Sequence, residues 1–240
     1  MRIGKICPVR WALGFAAAIV LAPGIATHRF AGGTGVVEAA TTIARGPAAL
    51  RTLLERLQQH YQATHSFTGK FTQTVTRVGM PPRIRVGTIA YSRPGRIRLE
   101  FGDPQPETIV SDGELFHDYD PGLNQVLQTP VKSAIKTQAA AAFLLGVGNV
   151  ERDFKASEPA APASDGLSHV VLAPRGGGDP IEIGIDPATL NIASLTIADA
   201  LGNTTVFLFS DLRINAPIAP AMFVFNAPAG ADIVNSGAAQ

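Results

Sequence analysis

Phe67-Thr68-Gly69-Lys70-Phe71-Thr72-Gln73-Thr74-Val75-Thr76-Arg77 is the segment on which the fold turns. Phe67, Phe71 and Val75 share one face of an extended chain, and Thr68, Lys70, Thr72, Thr74 and Thr76 share the other, the period-2 signature of a half-buried strand. The same period continues downstream. Ile84 to Tyr91 reads as a second strand, and Arg96-Ile97-Arg98-Leu99-Glu100-Phe101 alternates strictly, with Ile97, Leu99 and Phe101 together. Glu107 to Val110 and Leu115 to Tyr119 flank Ser111-Asp112-Gly113-Glu114, where glycine supplies positive φ for a hairpin. Asn124 to Thr129 adds a short strand. Further strands are expected around Asp153–Ala156, Ser168–Leu172, Ile181–Ile185, Ile192–Ala198, Thr205–Phe209 and Met222–Phe225.

Helices are few. Leu50, Leu53, Leu54 and Leu57 recur at i, i+3, i+4 and i+7, the apolar stripe of an amphipathic helix running to about Ala63. Ser133 to Leu145 is Ala-rich and ends in Phe143-Leu144-Leu145-Gly146, a second helix with a glycine stop. About eleven short strands joined by short turns, without βαβ alternation, predict an antiparallel meander. A sheet that long curls or splits. Curled, it leaves the helices to cover its hollow side.

Composition narrows the function. The chain has 240 residues, 46% hydrophobic and 16% charged, with 24 Gly and 18 Pro, too many helix breakers for a bundle. A formal charge of +1 gives no electrostatic case for nucleic acid. At the N-terminus, Arg2, Lys5 and Arg10 precede an uncharged run from Trp11 to Ala22, and Gly24-Ile25-Ala26 offers a small-residue cleavage site. The run is shorter than the roughly 20 residues of a bilayer span, so residues 1–26 are expected to be a secretory signal cleaved near Ala26. Residues 27–47, rich in Gly, Ala and Thr, read as a flexible leader, and 48–240 as one domain. After residue 26, 17 basic residues face 19 acidic ones, a net charge of −2. The lone Cys7 precedes the apolar run and would leave with the signal, so neither a lipidated cysteine nor a disulfide is expected.

Catalytic and metal motifs are missing. No pair among His28, His60, His65, His117 and His169 has the i, i+4 spacing of a helical metal site. Asp112, Asp118 and Asp120 lack the calcium-loop pattern, and turn chemistry accounts for Asp112 and Asp120. There is no Gly-x-Ser-x-Gly, and Arg175-Gly176-Gly177-Gly178-Asp179-Pro180 lacks the Gly-Lys-Ser/Thr of a phosphate loop and reads as a hairpin tip. No cofactor, metal or catalytic residue is expected, and the chain is not read as an enzyme. Arg77, Arg83, Arg85, Arg93, Arg96 and Arg98 read mostly as outward strand residues. The apolar positions Phe67, Phe71, Ile97, Leu99, Phe101, Ile109, Phe116 and Val126, with Phe143 and Leu144 from the helix, are candidates for lining an apolar ligand cavity.

Four motifs in order, Ser66-Phe67-Thr68-Gly69-Lys70-Phe71-Thr72-Gln73, Tyr91-Ser92-Arg93-Pro94-Gly95-Arg96-Ile97-Arg98, Ile109-Val110-Ser111-Asp112-Gly113 and Phe223-Val224-Phe225-Asn226-Ala227-Pro228-Ala229-Gly230, resemble the LolA family of outer-membrane lipoprotein carriers. The resemblance runs from about residue 48 to 235. It implies a mainly β fold, an unclosed antiparallel β-barrel of about eleven strands with an α-helical lid over a hydrophobic cavity. It also implies a monomeric periplasmic chaperone that shelters lipoprotein acyl chains between two membranes without covalent chemistry. The implied partners are an inner-membrane ABC transporter (LolCDE-like) and an outer-membrane acceptor lipoprotein (LolB-like). The family's lid-latching arginine, which precedes a proline, maps onto Arg93, and its cavity aromatic onto Ile97. Where the family often has Trp or Phe along that strand, this chain has Ile97, Leu99 and Phe101. The alternative is a LolA-like periplasmic carrier or sensor of another lipid, such as a glycolipid or hydrophobic precursor.

Overall fold

The computed structural model describes residues 46–133, 149–161 and 163–236. The expected signal, nearly all of the leader and the Ala-rich helix with Phe143 and Leu144 lie outside the described residues.

Helix α1 (Pro47–Ala63) opens the domain, with a proline in its first turn, where a missing N–H costs nothing. Its stripe buries Leu53, Leu54 and Leu57. The strands follow: β1 (Ser66–Thr76), β2 (Arg83–Ser92), β3 (Arg96–Phe101), β4 (Glu107–Asp112), β5 (Leu115–Asp120) and β6 (Gln125–Pro130). A one-turn helix, α2 (Val150–Asp153), is capped by the Asn149 side chain accepting from the Arg152 N–H. It leads into β7 (Phe154–Ser157), β8 (Ser168–Pro174), β9 (Ile181–Ile185), β10 (Ile192–Ala198) and β11 (Thr204–Ile214). A 3-10 turn at Pro220–Phe223 precedes β12 (Asp232–Asn235).

The twelve strands among the described residues form one unclosed sheet, in the order β12-β6-β5-β4-β3-β2-β1-β11-β10-β9-β8-β7. Eleven pair as the expected antiparallel meander. β1 joins the two runs, pairing with both β2 and β11. The β4–β5 hairpin turns at Gly113, φ +106°, and Asp112 accepts from the Glu114 and Leu115 N–H groups.

Two expectations for the C-terminus are corrected. Met222–Phe225 is not a strand: Pro217, Pro220 and Pro228 remove ladder donors, and the segment is a 3-10 turn followed by irregular chain. The final strand is instead β12, which pairs parallel with β6, Ile233 opposite Val126. The stretch from residue 216 to 231 is therefore a strap that leaves β11 in mid-sheet, crosses the outer face and ends at the β6 edge. Phe223 is buried beneath it, and Phe225 stacks on His117 at 5.1 Å.

The main core lies on the inner face. There α1 packs its leucines with Phe154, Val170, Leu172, Ile181, Ile183, Ile185, Leu195 and Phe207. Gly87 makes room within this face. A Cβ there would sit 2.5 Å from the Phe71 ring and 2.2 Å from the Glu100 carbonyl, so only glycine lets Phe71 lie across β2. Phe71 in turn meets Phe101 and Phe207 edge-on, at 5.0 and 5.8 Å.

Candidate functional site

Strand register assigns each candidate residue to a face. Phe67 pairs with Tyr91 and Tyr91 with Ile97; Ile89 pairs with Leu99 and Leu99 with Ile109; Gly87 pairs with Phe101. Phe67, Phe71, Ile97, Leu99, Phe101, Ile109 and Phe116 thus share the inner face and belong to, or pack against, one apolar cluster. Val126 does not join them. It is fully buried, but Leu127 and Thr129 are the β6 residues of inner parity, and Val126 lies on the outer face opposite Tyr119. The strap makes that side apolar too.

The inner face is unevenly filled. Across β7–β10 its side chains are almost fully buried: Val170, Leu172, Ile183, Ile185 and Leu195 expose nothing measurable. Across β5 and β6 every inner residue is only half-buried, including Phe116, Asp118, Leu127 and Thr129, and Ile109 of β4 is half-buried as well. A small apolar void of about 30 Å³ remains under the C-terminal end of α1, bounded by Tyr61, Phe67, Ile89, Ile192, Phe209, Leu212 and Ile214. It holds about one water molecule and is far too small for an acyl chain. A larger hollow, about 950 Å³, lies on the outer face between the strap and β11. Its walls carry the pairs Lys70–Asp211 at 2.8 Å and Arg98–Glu100 at 2.7 Å, chemistry unsuited to hydrocarbon.

Arg93 bridges helix and sheet. It stands at the β2–β3 turn, and its Nη2 donates at 2.6 Å to the Tyr61 carbonyl in the last turn of α1, which also accepts from the Thr64 N–H at 3.3 Å. Tyr61 is the second fastening, one that sequence reasoning missed. Its hydroxyl accepts from the Ile192 N–H at 3.0 Å, and burial pushes its pKa up to about 12 despite that bond. His60 adds a contact to Asn191 at 3.0 Å, and the Gln58 side chain accepts from the Val150 N–H at 2.9 Å. Helix α1 is thus tied to β10 and α2 by several bonds and to the β2–β3 turn by Arg93. Burial also raises the pKa of Tyr91, which Arg93 partly opposes.

A second missed feature is a polar cluster in the inner face. Arg85 was expected to face outward; instead it is buried. Its Nε donates to Gln73 Oε1 at 3.0 Å, its Nη1 pairs with Glu107, and its guanidinium lies 3.8 Å over the Phe101 ring. Asp118 lies beside Glu107. Burial, reinforced by the Glu107 charge, pushes its pKa up to about 8, against the pull of Arg85. The signal was present in the sequence: Arg85 has the parity of Ile89 and Tyr91. Among the described residues, no group of three or more His, Cys, Asp or Glu side chains is arranged to hold a metal, and no helix is long and apolar enough to cross a membrane.

Residues 62–226 match the family model described as outer membrane lipoprotein carrier protein LolA. The outer-membrane lipoprotein carrier protein of Cupriavidus taiwanensis is 30% identical over 186 residues, covering 75% of this chain and 86% of that protein. That of Bordetella pertussis is 34% identical over 210 residues, covering 86% of this chain and 97% of its own length. A LolA superfamily protein from Nitrosomonas europaea superposes with a TM-score of 0.45 at 10% identity, over 73% of this chain and 97% of that one. By the family match and by these relatives, the chain belongs to the LolA family of outer membrane lipoprotein carrier proteins.

Proposed function

We propose that this chain carries lipoproteins from the inner to the outer membrane, sheltering their acyl chains against the inner face of the sheet. The observation that carries the reading is the unfilled half of that face. Ile97, Leu99 and Phe101 continue into half-buried Ile109 and Phe116, an apolar surface ready to be covered by hydrocarbon. Phe143 and Leu144 complete the lining on this reading. Arg93 acts as the lid latch through its bond to the Tyr61 carbonyl. A bond to a charged donor contributes about 1.5–3 kcal/mol net. Each buried CH₂ contributes roughly 0.8 kcal/mol, so a few methylenes offset one latch bond. Burial of one acyl chain is thus enough to open the latch.

The carrier works in the periplasm after removal of residues 1–26, and residues 27–47 serve as a leader. It receives cargo from an inner-membrane ABC transporter of the LolCDE type and passes it to a LolB-like acceptor. No covalent bond changes, so no catalytic group is assigned. The deciding experiment is purification from periplasm followed by mass spectrometry of bound molecules. Triacylated lipoproteins are the expected finding, and failure to take lipoproteins from inner-membrane vesicles would overturn the reading.

A second reading, carriage of another lipid, is favoured by one observation. Arg85, Glu107 and Asp118 set polar groups into the same face, which could meet a polar group on a ligand. Recovery of a free glycolipid in the same experiment would select it.

A further inference from the structure

The end of the sheet remote from Arg93 carries a different kind of surface. The β1–β2 loop, Arg77-Val78-Gly79-Met80-Pro81-Pro82, exposes Val78 and Met80 by 72% and 62%. The neighbouring β10–β11 turn exposes Leu201 by 74%. These are not frayed tips. The first loop closes through the Met80 N–H on the Arg77 carbonyl at 3.0 Å, with Gly79 at φ +78° and two prolines behind it. The second closes through the Asp199 N–H on the Asn203 carbonyl, and the Asp199 side chain accepts from the Leu201 and Asn203 N–H groups. The Val78 N–H donates to Asn203 Oδ1 at 3.2 Å, joining the two. On the outer face next to them Ile84 and Val86 of β2 and Leu208 of β11 are also exposed, with Thr74 and Thr72 of β1 between them by register.

We infer that this tip docks the protein on an anionic lipid bilayer, inserting Val78, Met80 and Leu201 at headgroup level. Rigid turns holding large apolar side chains in water gain from a medium that buries them, and an isolated apolar patch of this kind marks an interaction site. Its form selects the occupant. The tip protrudes, whereas a stable protein partner needs a complementary surface of roughly 800 Å² on each side. Charge complementarity selects anionic lipid. Arg77 and Arg83 stand at the two feet of the first loop, as basic residues flank apolar anchors in interfacial segments. The one acid in the paired turns, Asp199, is engaged with its own turn. This inference does not rest on the carrier reading: the tip would meet a bilayer whatever the inner face holds.

The test uses the purified protein and vesicles of phosphatidylethanolamine with roughly one-quarter phosphatidylglycerol, compared with pure phosphatidylcholine. Trp11 is the only native tryptophan, so Met80→Trp supplies a reporter after subtraction of the unsubstituted spectrum. Its emission should shift to the blue on the anionic vesicles and be quenched by brominated acyl chains. The combined V78S, M80S and L201S variant should bind them at least about tenfold more weakly, with an unchanged melting curve because all three sites are exposed. R77Q with R83Q should remove the preference for phosphatidylglycerol. Three outcomes would overturn the inference: no vesicle binding, binding unaffected by the serine variant, or binding only to vesicles that contain membrane proteins. Patch-dependent self-association without vesicle binding would replace it with a dimer interface. None of these results depends on lipoprotein transfer, so the two proposals can fail separately.

Discussion

Strands β7–β10 and strands β3–β6 form the two wings of one sheet, and the same alternating pattern builds both. The first wing is finished: α1 and α2 sit against it, and its inner side chains are dry. The second is apolar along β3 but only half-covered at Ile109, Phe116 and Leu127, and the carboxyl groups of Glu107 and Asp118 lie among them. One wing therefore stores stability and the other keeps surface in reserve. Substitutions in the two should separate melting temperature from ligand binding.

The largest effect is expected where the wings meet. Arg85→Met on β2 leaves Glu107 buried without its counter-charge, a loss of about 3–5 kcal/mol. Chemical denaturation would measure it, and adding Glu107→Leu should recover most of the loss. Recovery would mean that the ion pair serves something other than stability.

Next, Leu195→Ala in the finished wing should cost about 2–5 kcal/mol, because nothing can collapse into the gap. Phe116→Ala in the open wing should cost clearly less, yet weaken binding of a fluorescent fatty acid several-fold. Equal stability losses would erase the distinction between the wings.

Arg93→Leu removes the bond to the Tyr61 carbonyl, a change of about 1.5–3 kcal/mol. Lipoprotein transfer assays should then show delivery impaired more than uptake, since acyl burial no longer competes with the latch. Equal uptake and delivery would reject the latch role.

A last effect is read as a slope against pH. Burial and the neighbouring Glu107 charge push the Asp118 pKa up to about 8, against 3.8 ordinarily, so the native state binds the extra proton. Stability therefore falls as pH rises between those values, and no penalty exists below the lower one. Asp118→Asn should flatten the curve, raising the melting temperature at pH 8 and leaving it unchanged near pH 4. A parallel curve for the variant would place the titration elsewhere.

Local alternation made most of the sheet legible. Arg96–Phe101 shows its inner residues without ambiguity, and α1 follows from four leucines. What escaped depends on contacts distant in sequence. Phe223-Val224-Phe225 is β-like in composition, but the prolines around it and the outer face beneath decide its form. β12 has four residues, too few for a pattern, and exists through its pairing with Gln125–Gln128. Val126 was assigned to the wrong side because β6 carries apolar residues at both parities, one set for the inner face and one for the strap. Arg85 was missed because its partner lies 22 positions away. Around the candidate site, the apolar inner-face residues of β1 and β3–β5 are readable by parity, whereas the Tyr61 fastening and the polar cluster required the folded chain.

The parallel pairing of β12 has a consequence for the chain's encounters with other proteins. An unpaired β6 would offer a ladder of backbone donors and acceptors to any unfolded neighbour, the usual route to edge-to-edge aggregation. β12 occupies that ladder with four exposed residues bounded by Asp232 and Asn235. The other margin, β7, is equally brief and bears an exposed lysine, Lys155. A sheet left open for its cargo is thus shut at both margins against recruitment by other chains.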